Sequence, residues 1–219
     1  MVKVYTEQLH RLPPVDRREA LRYANVHGDV GEELLGLFDT CVQKITNACT
    51  ARVCYCTLTK EELFAWIPQT AACRADSFSK AERFIVFVAT IGIEMDRLMM
   101  KYAKLSPIKA LLFQALGTER IETVCDIFCE KISLESAKEG LTTERRYSPG
   151  YGNFSLTAQD NIFQILCPQK NIGVALTDSR MMSPTKSVSA VIPLIKSGAT
   201  TDENRCKTCG MQGCEYKRD

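Results

Sequence analysis

Histidine is scarce in this 219-residue chain: there are two, His10 and His27. No Ser-His-Asp arrangement can be argued from so few, and a Cys/His metal site is possible but not indicated. No run approaches the roughly eighteen apolar residues of a membrane span. A Gly-rich phosphate loop and a dinucleotide fingerprint are both missing, which argues against nucleotide binding by those routes. Charge of one sign is also lacking, because the net charge is +2 with a pI near 8.0. That balance gives no charge-based case for nucleic-acid binding. The opening Met1-Val2-Lys3-Val4-Tyr5-Thr6-Glu7 has no apolar core of a secretion signal, so a cytoplasmic protein is expected.

What is present is an ordinary globular composition, 45% hydrophobic and 25% charged, with eleven cysteines. An odd number without a signal segment does not read as a disulfide framework. Cysteines 41, 49, 54, 56, 73, 125, 129 and 167 lie in apolar or periodic segments and are expected as core thiols.

Periodicity and punctuation predict a mixture of helices and strands. Asp16 and Glu19 have capping-box spacing for a helix over 16–27, with Gly28 as its stop. Leu34, Leu35, Phe38, Cys41, Val42, Ile45 and Ala48 make one face of a helix from Glu32 to Cys49. Arg52–Leu58 and Phe84–Thr90 read as strands. A helix follows from Gly92 to about Lys104. Residues 108–140 hold one or two helices, with Gly117 as a packing contact or a kink. Thr157 with Asp160 caps a helix through Leu166, and Val174–Asp178 and Ser187–Leu194 are expected strands. No regular βα repeat emerges. The expected fold is a single α+β domain over 1–195, with a mixed or antiparallel sheet and packed helices. A short Cys-rich tail over 196–219 follows it.

The loop expected at 141–156 contains Arg146-Tyr147-Ser148-Pro149-Gly150-Tyr151-Gly152. Pro149 restricts one backbone angle and Gly150 permits a turn or a close backbone approach. Arg146 and Tyr151 add a fixed cation and an aromatic hydroxyl. Together they suit a ligand carrying a carboxylate, against the alternative of a plain surface turn. A second distinctive stretch is Leu176-Thr177-Asp178-Ser179-Arg180-Met181-Met182-Ser183-Pro184-Thr185-Lys186-Ser187-Val188-Ser189.

The two segments resemble the activation domain of cobalamin-dependent methionine synthase, which binds S-adenosylmethionine. Phe87-Val88-Ala89-Thr90-Ile91-Gly92 and Leu116-Gly117-Thr118-Glu119-Arg120-Ile121-Glu122 are similar to stretches of its free-standing relatives. The resemblance covers most of 15–192 and is strongest from about 84. It implies that Arg146, Ser148, Pro149, Gly150 and Tyr151 bind the ligand. Glu122 would meet its ammonium, rather than being a solvated helix glutamate. Tyr151 either faces the ligand or anchors the loop on the core. Met181, Met182 and Pro184 are expected to pack, and Ser187 and Ser189 to hydrogen-bond. No catalytic residue is assigned, because cobalt is the nucleophile in the family chemistry.

That chemistry is reductive methylation, in which an electron donor and S-adenosylmethionine return oxidised cobalamin to methylcobalamin. The resemblance therefore implies a component of a methyltransferase in methionine biosynthesis, acting in trans on a cobalamin-binding methionine synthase chain. After Tyr151 the chain departs from the fused enzymes, reading Gly-Asn-Phe-Ser, and no counterpart of their later aromatic segment can be placed. Separately, Cys206, Cys209 and Cys214 place three soft ligands close together, suited to zinc or an iron–sulfur cluster. The alternatives to the main reading are an accessory of another corrinoid methyltransferase, or a metal-binding or electron-transfer protein built on that tail.

Overall fold

Strand β3 (Arg83–Thr90) is buried along nearly its whole length because both of its faces are covered. The computed structural model describes residues 1–8, 11–26, 28–68 and 76–198. Five strands form one antiparallel sheet in the order β1 (Lys3–Gln8), β2 (Thr50–Thr59), β3, β7 (Ser187–Lys196), β4 (Leu141–Thr143). A separate two-stranded hairpin pairs β5 (Ala175–Leu176) with β6 (Met182–Ser183). Adjacent side chains of a strand point to opposite faces. Tyr55, Ile85, Phe87, Ala190 and Ile192 therefore enter one core, while Cys54, Phe84, Val86, Val88 and Val191 enter another.

Helices α1 (Arg17–Tyr23), α2 (Glu32–Ala48), α5 (Glu94–Leu105) and α6 (Pro107–Ala137) cover the first face. Phe128 of α6 makes the central contact, with its ring 4.9 Å from Phe87 and 5.0 Å from Tyr55. The second face takes α3 (Lys60–Trp66), α4 (Asp76–Lys80), α7 (Ala158–Leu166) and α8 (Pro168–Ile172). The result is a three-layer α+β domain with the sheet in the middle.

Several boundaries differ from the sequence expectation for local reasons. The first helix stops at Tyr23 because Asn25 adopts φ 57, ahead of Gly28. Residues 107–137 form one helix, in which Gly117 is a packing contact and not a kink. A Cβ there would lie 2.9 Å from Met95 Cε and 3.0 Å from Lys186 Cε. Thr157 makes no side-chain cap; Ser155 Oγ accepts from Thr157 N at 3.2 Å instead. β5 is shorter than expected because Thr177 N donates to Met181 O at 2.9 Å and closes a turn. Met181 is 66% exposed, whereas Met182 packs on the second core and Pro184 is buried. Cysteines 41, 49, 54, 56 and 125 are buried thiols, Cys129 is half-buried and Cys167 is exposed. Burial pushes Cys49 and Cys54 up to about 12, which makes them inert. Cys73 lies outside the described residues.

Lys186 fills the notch left by Gly117. It is 7% exposed and its Nζ donates to Thr118 Oγ1 at 2.8 Å. Burial lowers its pKa from 10.5 to about 8, against an opposing pull from Asp96. Below about 8 the folded state carries the full cost of the buried ammonium. Between about 8 and 10.5 the unfolded chain binds more protons, so this group adds stability as pH rises. Lys186→Met should therefore raise stability at pH 7 by about 2 kcal/mol, the removed charge cost outweighing the lost hydrogen bond. The advantage should fade towards pH 10, as read by urea denaturation at both pH values. An equal gain at both, or a loss at pH 7, would contradict the burial argument.

Candidate functional site

A one-residue slip in an edge strand aims the motif arginine. Thr143 pairs with Leu194 and Tyr147 with Val191, so four steps along one strand match three along its neighbour. The extra residue is a bulge, and a bulge reverses which face the following side chains take. Tyr147 consequently points into the second core, where its ring meets Phe78 at 5.3 Å and its hydroxyl accepts from Ser77 Oγ at 2.9 Å. Arg146 takes the opposite side, towards α6.

There Arg146 meets two carboxylates one turn apart on α6. Nη2 donates to Glu122 Oε2 and Nη1 to Asp126 Oδ1, both at 2.5 Å. Nη1 also approaches Cys129 Sγ at 3.9 Å. The arginine side chain is 19% exposed, Glu122 33% and Asp126 55%. Burial opposes the guanidinium charge, but Cys125, Asp126 and Glu122 reverse that effect and raise the Arg146 pKa. The carboxylates carry this at neutral pH, since burial holds the Cys125 thiol protonated. Glu122 and Arg146, distant in sequence, thus form one charged constellation. Asp126 was not expected there, although its i+4 spacing from Glu122 was the available signal.

Beyond Arg146 the chain folds back on itself. Gly150 N donates to Phe154 O at 2.8 Å, and Tyr151 N donates to Ser148 O at 3.3 Å. Gly150 has φ +89, a conformation that strains any side chain, and a Cβ would lie 3.3 Å from Leu156 Cδ1. Pro149 is buried and Ser148 half-buried. Tyr151 is 78% exposed, so it does not anchor the loop. Phe154 does: it is 2% exposed and its ring lies 6.0 Å from Phe78.

The second motif segment is tied beside this loop through α7. Arg180 Nε donates to Asp160 Oδ2 at 2.8 Å, and Gln159 Nε2 donates to Arg180 O at 3.0 Å. Ser189 Oγ donates to the buried Gln159 Oε1 at 3.4 Å, and Ser187 Oγ lies 2.7 Å from Pro184 O. Thr177, Asp178 and Ser179 form the exposed hairpin turn. An open hollow of about 640 Å³ lies further along, lined by Phe163, Cys167, Pro168 and Leu176 among others. It contains no residue of the Arg146–Gly152 loop and touches the second motif segment only at Leu176; among the described residues Lys170 is its one charged lining group, so it offers no paired charges to an amino-acid ligand. Among the described residues, no group of three His, Cys, Asp or Glu could hold a metal ion. Cys206, Cys209 and Cys214 lie outside the described residues. No helix among the described residues is long and apolar enough to cross a membrane.

Fold and site together define a three-layer α+β domain whose motif loop is ion-paired to its longest helix. The crystal structure of the MetH reactivation domain bound to AdoHcy has this fold, with a TM-score of 0.67 at 17% identity. The match covers 92% of this chain and 80% of that one. No curated protein matches the sequence. The model of the vitamin B12 dependent methionine synthase activation domain matches residues 69–199, and the chain belongs to that family.

Proposed function

We propose that the chain binds S-adenosylmethionine at the Arg146 loop and supports reductive methylation of cobalamin carried by a methionine synthase chain in trans. The observation carrying this reading is the Arg146–Glu122–Asp126 constellation beside a loop turned by Gly150. An amino-acid ligand carries a carboxylate and an ammonium on one carbon. Arg146 suits the first through paired hydrogen bonds, and Glu122 suits the second. The protein ion pair is half-exposed, so a zwitterion can exchange into it charge for charge. The cobalamin of the partner chain supplies the nucleophile for the methyl group. The chain's own task is to hold the methyl donor in a fixed position, which needs no nucleophile of its own. An electron donor completes the proposed set of partners.

Arg146→Ala should weaken S-adenosylmethionine binding by about 1.5–3 kcal/mol, the value of a charged hydrogen bond, as read by calorimetric titration. Gly150→Val should also weaken it, through strain at positive φ. Added with reductant and S-adenosylmethionine to an oxidised synthase lacking its own activation domain, the wild-type chain should restore methionine formation. Wild-type affinity in both variants would remove the proposed site. Binding without restored turnover would remove the role in trans while leaving the site.

A further inference from the structure

We propose that Asp126 is a positioning residue of this site, holding the Nη1 end of Arg146 so that the Nε–Nη2 edge of the guanidinium receives the ligand carboxylate. This rests on the reading of the Arg146 loop as an amino-acid-binding site. It gives a task to the one member of the constellation that the reading leaves without one.

The backbone beside Arg146 is fixed first. Tyr147 N donates to Val191 O and Val191 N to Tyr147 O, both at 2.9 Å, so the chain is clamped one residue beyond Arg146. What remains free is the arginine side chain, whose long flexible stem can place its head group in many positions. Glu122, Asp126 and Cys129 lie at i, i+4 and i+7 of α6 and so form one stripe along that helix. The guanidinium lies against this stripe and bonds to all three residues.

A guanidinium carries its N–H groups in a planar fork, two on each Nη and one on Nε. Nη1 faces two acceptors on α6, Asp126 Oδ1 at 2.5 Å and Cys129 Sγ at 3.9 Å, which match its two N–H groups. Nη2 donates once, to Glu122 Oε2 at 2.5 Å. Among the described residues Nε has no hydrogen-bond partner. The Nε–Nη2 edge therefore keeps two parallel donors, the arrangement that a carboxylate accepts through both oxygens. Exposure by itself would make Asp126, at 55%, easier for a ligand to displace than Glu122, at 33%. Geometry decides the other way, because a ligand on the Nε–Nη2 edge competes for Nη2 and not for Nη1. Glu122 shares Nη2 with the incoming carboxylate, and its longer stem lets it turn to the ammonium. Asp126 stays in place, so the half-buried guanidinium keeps a compensating anion throughout. A binding group held in its bound position before the ligand arrives lowers the entropic cost of binding.

The test compares S-adenosylhomocysteine with 5′-methylthioadenosine, which shares the nucleoside but lacks the amino-acid end. In Asp126→Ala, affinity for S-adenosylhomocysteine by calorimetric titration should fall about three- to tenfold, the cost of ordering one long side chain on binding. Affinity for methylthioadenosine and the melting temperature should be unchanged, since Asp126 is more than half exposed. Asp126→Asn keeps the acceptor oxygen without the charge, and its affinity should lie between those of wild type and Asp126→Ala. Unchanged or tighter S-adenosylhomocysteine binding in Asp126→Ala overturns the inference, tighter binding by making Asp126 a competitor for the guanidinium. An equal loss for both ligands, or a lowered melting temperature, overturns it by making Asp126 a structural residue. An Asp126→Asn affinity no better than that of Asp126→Ala overturns it as well. Failure of the wild-type chain to bind S-adenosylhomocysteine at all removes the underlying reading, and the inference with it.

Discussion

Arg120→Leu should cost about 3–5 kcal/mol of folding stability, because it leaves Glu119 as an uncompensated buried charge. Both side chains are 3% exposed, so water cannot take the place of the lost partner. The arginine also satisfies Pro13 O and Pro14 O, at 2.8 and 3.4 Å. Its loss therefore unfastens the segment that leads into α1. The double variant Glu119→Leu/Arg120→Leu should recover part of the loss, since removing both charges removes the desolvation cost. It should not recover all, because Asp16 N and the two proline carbonyls still lack their partners. Urea denaturation of the three proteins measures this. A single-variant loss below about 1 kcal/mol, the range of an exposed pair, would mean that the pair is hydrated in solution.

Phe154→Ala should cost about 3–5 kcal/mol, as expected for a fully buried aromatic ring. The ring is 2% exposed and sits against Phe78, which also carries Tyr147 and Phe84. The backbone of the same residue holds the motif loop through the 2.8 Å bond from Gly150 N. Losing the ring should therefore loosen the loop as well as the second core, and S-adenosylmethionine affinity should fall with stability. Tyr151→Ala is the contrast. Its ring is 78% exposed, so stability should stay within about 0.5 kcal/mol of wild type. Equal stability losses in the two variants, by thermal unfolding, would show that Tyr151 shares the anchoring.

Much of this architecture was legible because burial leaves a period in the sequence. The apolar stripe of α2 and the continuous apolar run of β3 gave both elements within about two residues of their observed ends. The missed elements had weak or short signals. β1 sets only the adjacent Val4 and Tyr5 among charged and polar residues, as an edge strand can, so it shows no alternation, and three-residue β4 is too brief for a period. α3 did carry a readable signal, the capping box of Thr59 with Glu62, which the structure contains. Within the site, the turn at Gly150 was legible from residue chemistry alone. The choice between Tyr151 and Phe154 as the loop's anchor was not, because two aromatic residues three apart look equivalent until the second core exists.

The sequence by itself determined the α+β class, the family, and the loop that turns at Pro149 and Gly150, since these depend on local chemistry and short-range patterns. Tertiary structure alone decided which way Arg146 faces. A single extra residue opposite β7 reverses the side-chain alternation, and nothing in the composition of 141–147 marks where that bulge falls. It also decided that Glu122, Asp126 and Arg146 share their charges, and that the segment leading into α1 is fastened to the same helix through the buried pair on α6. Such contacts join segments tens to more than a hundred residues apart. Their energies depend on distance and desolvation, which exist only once the sheet has brought the segments together.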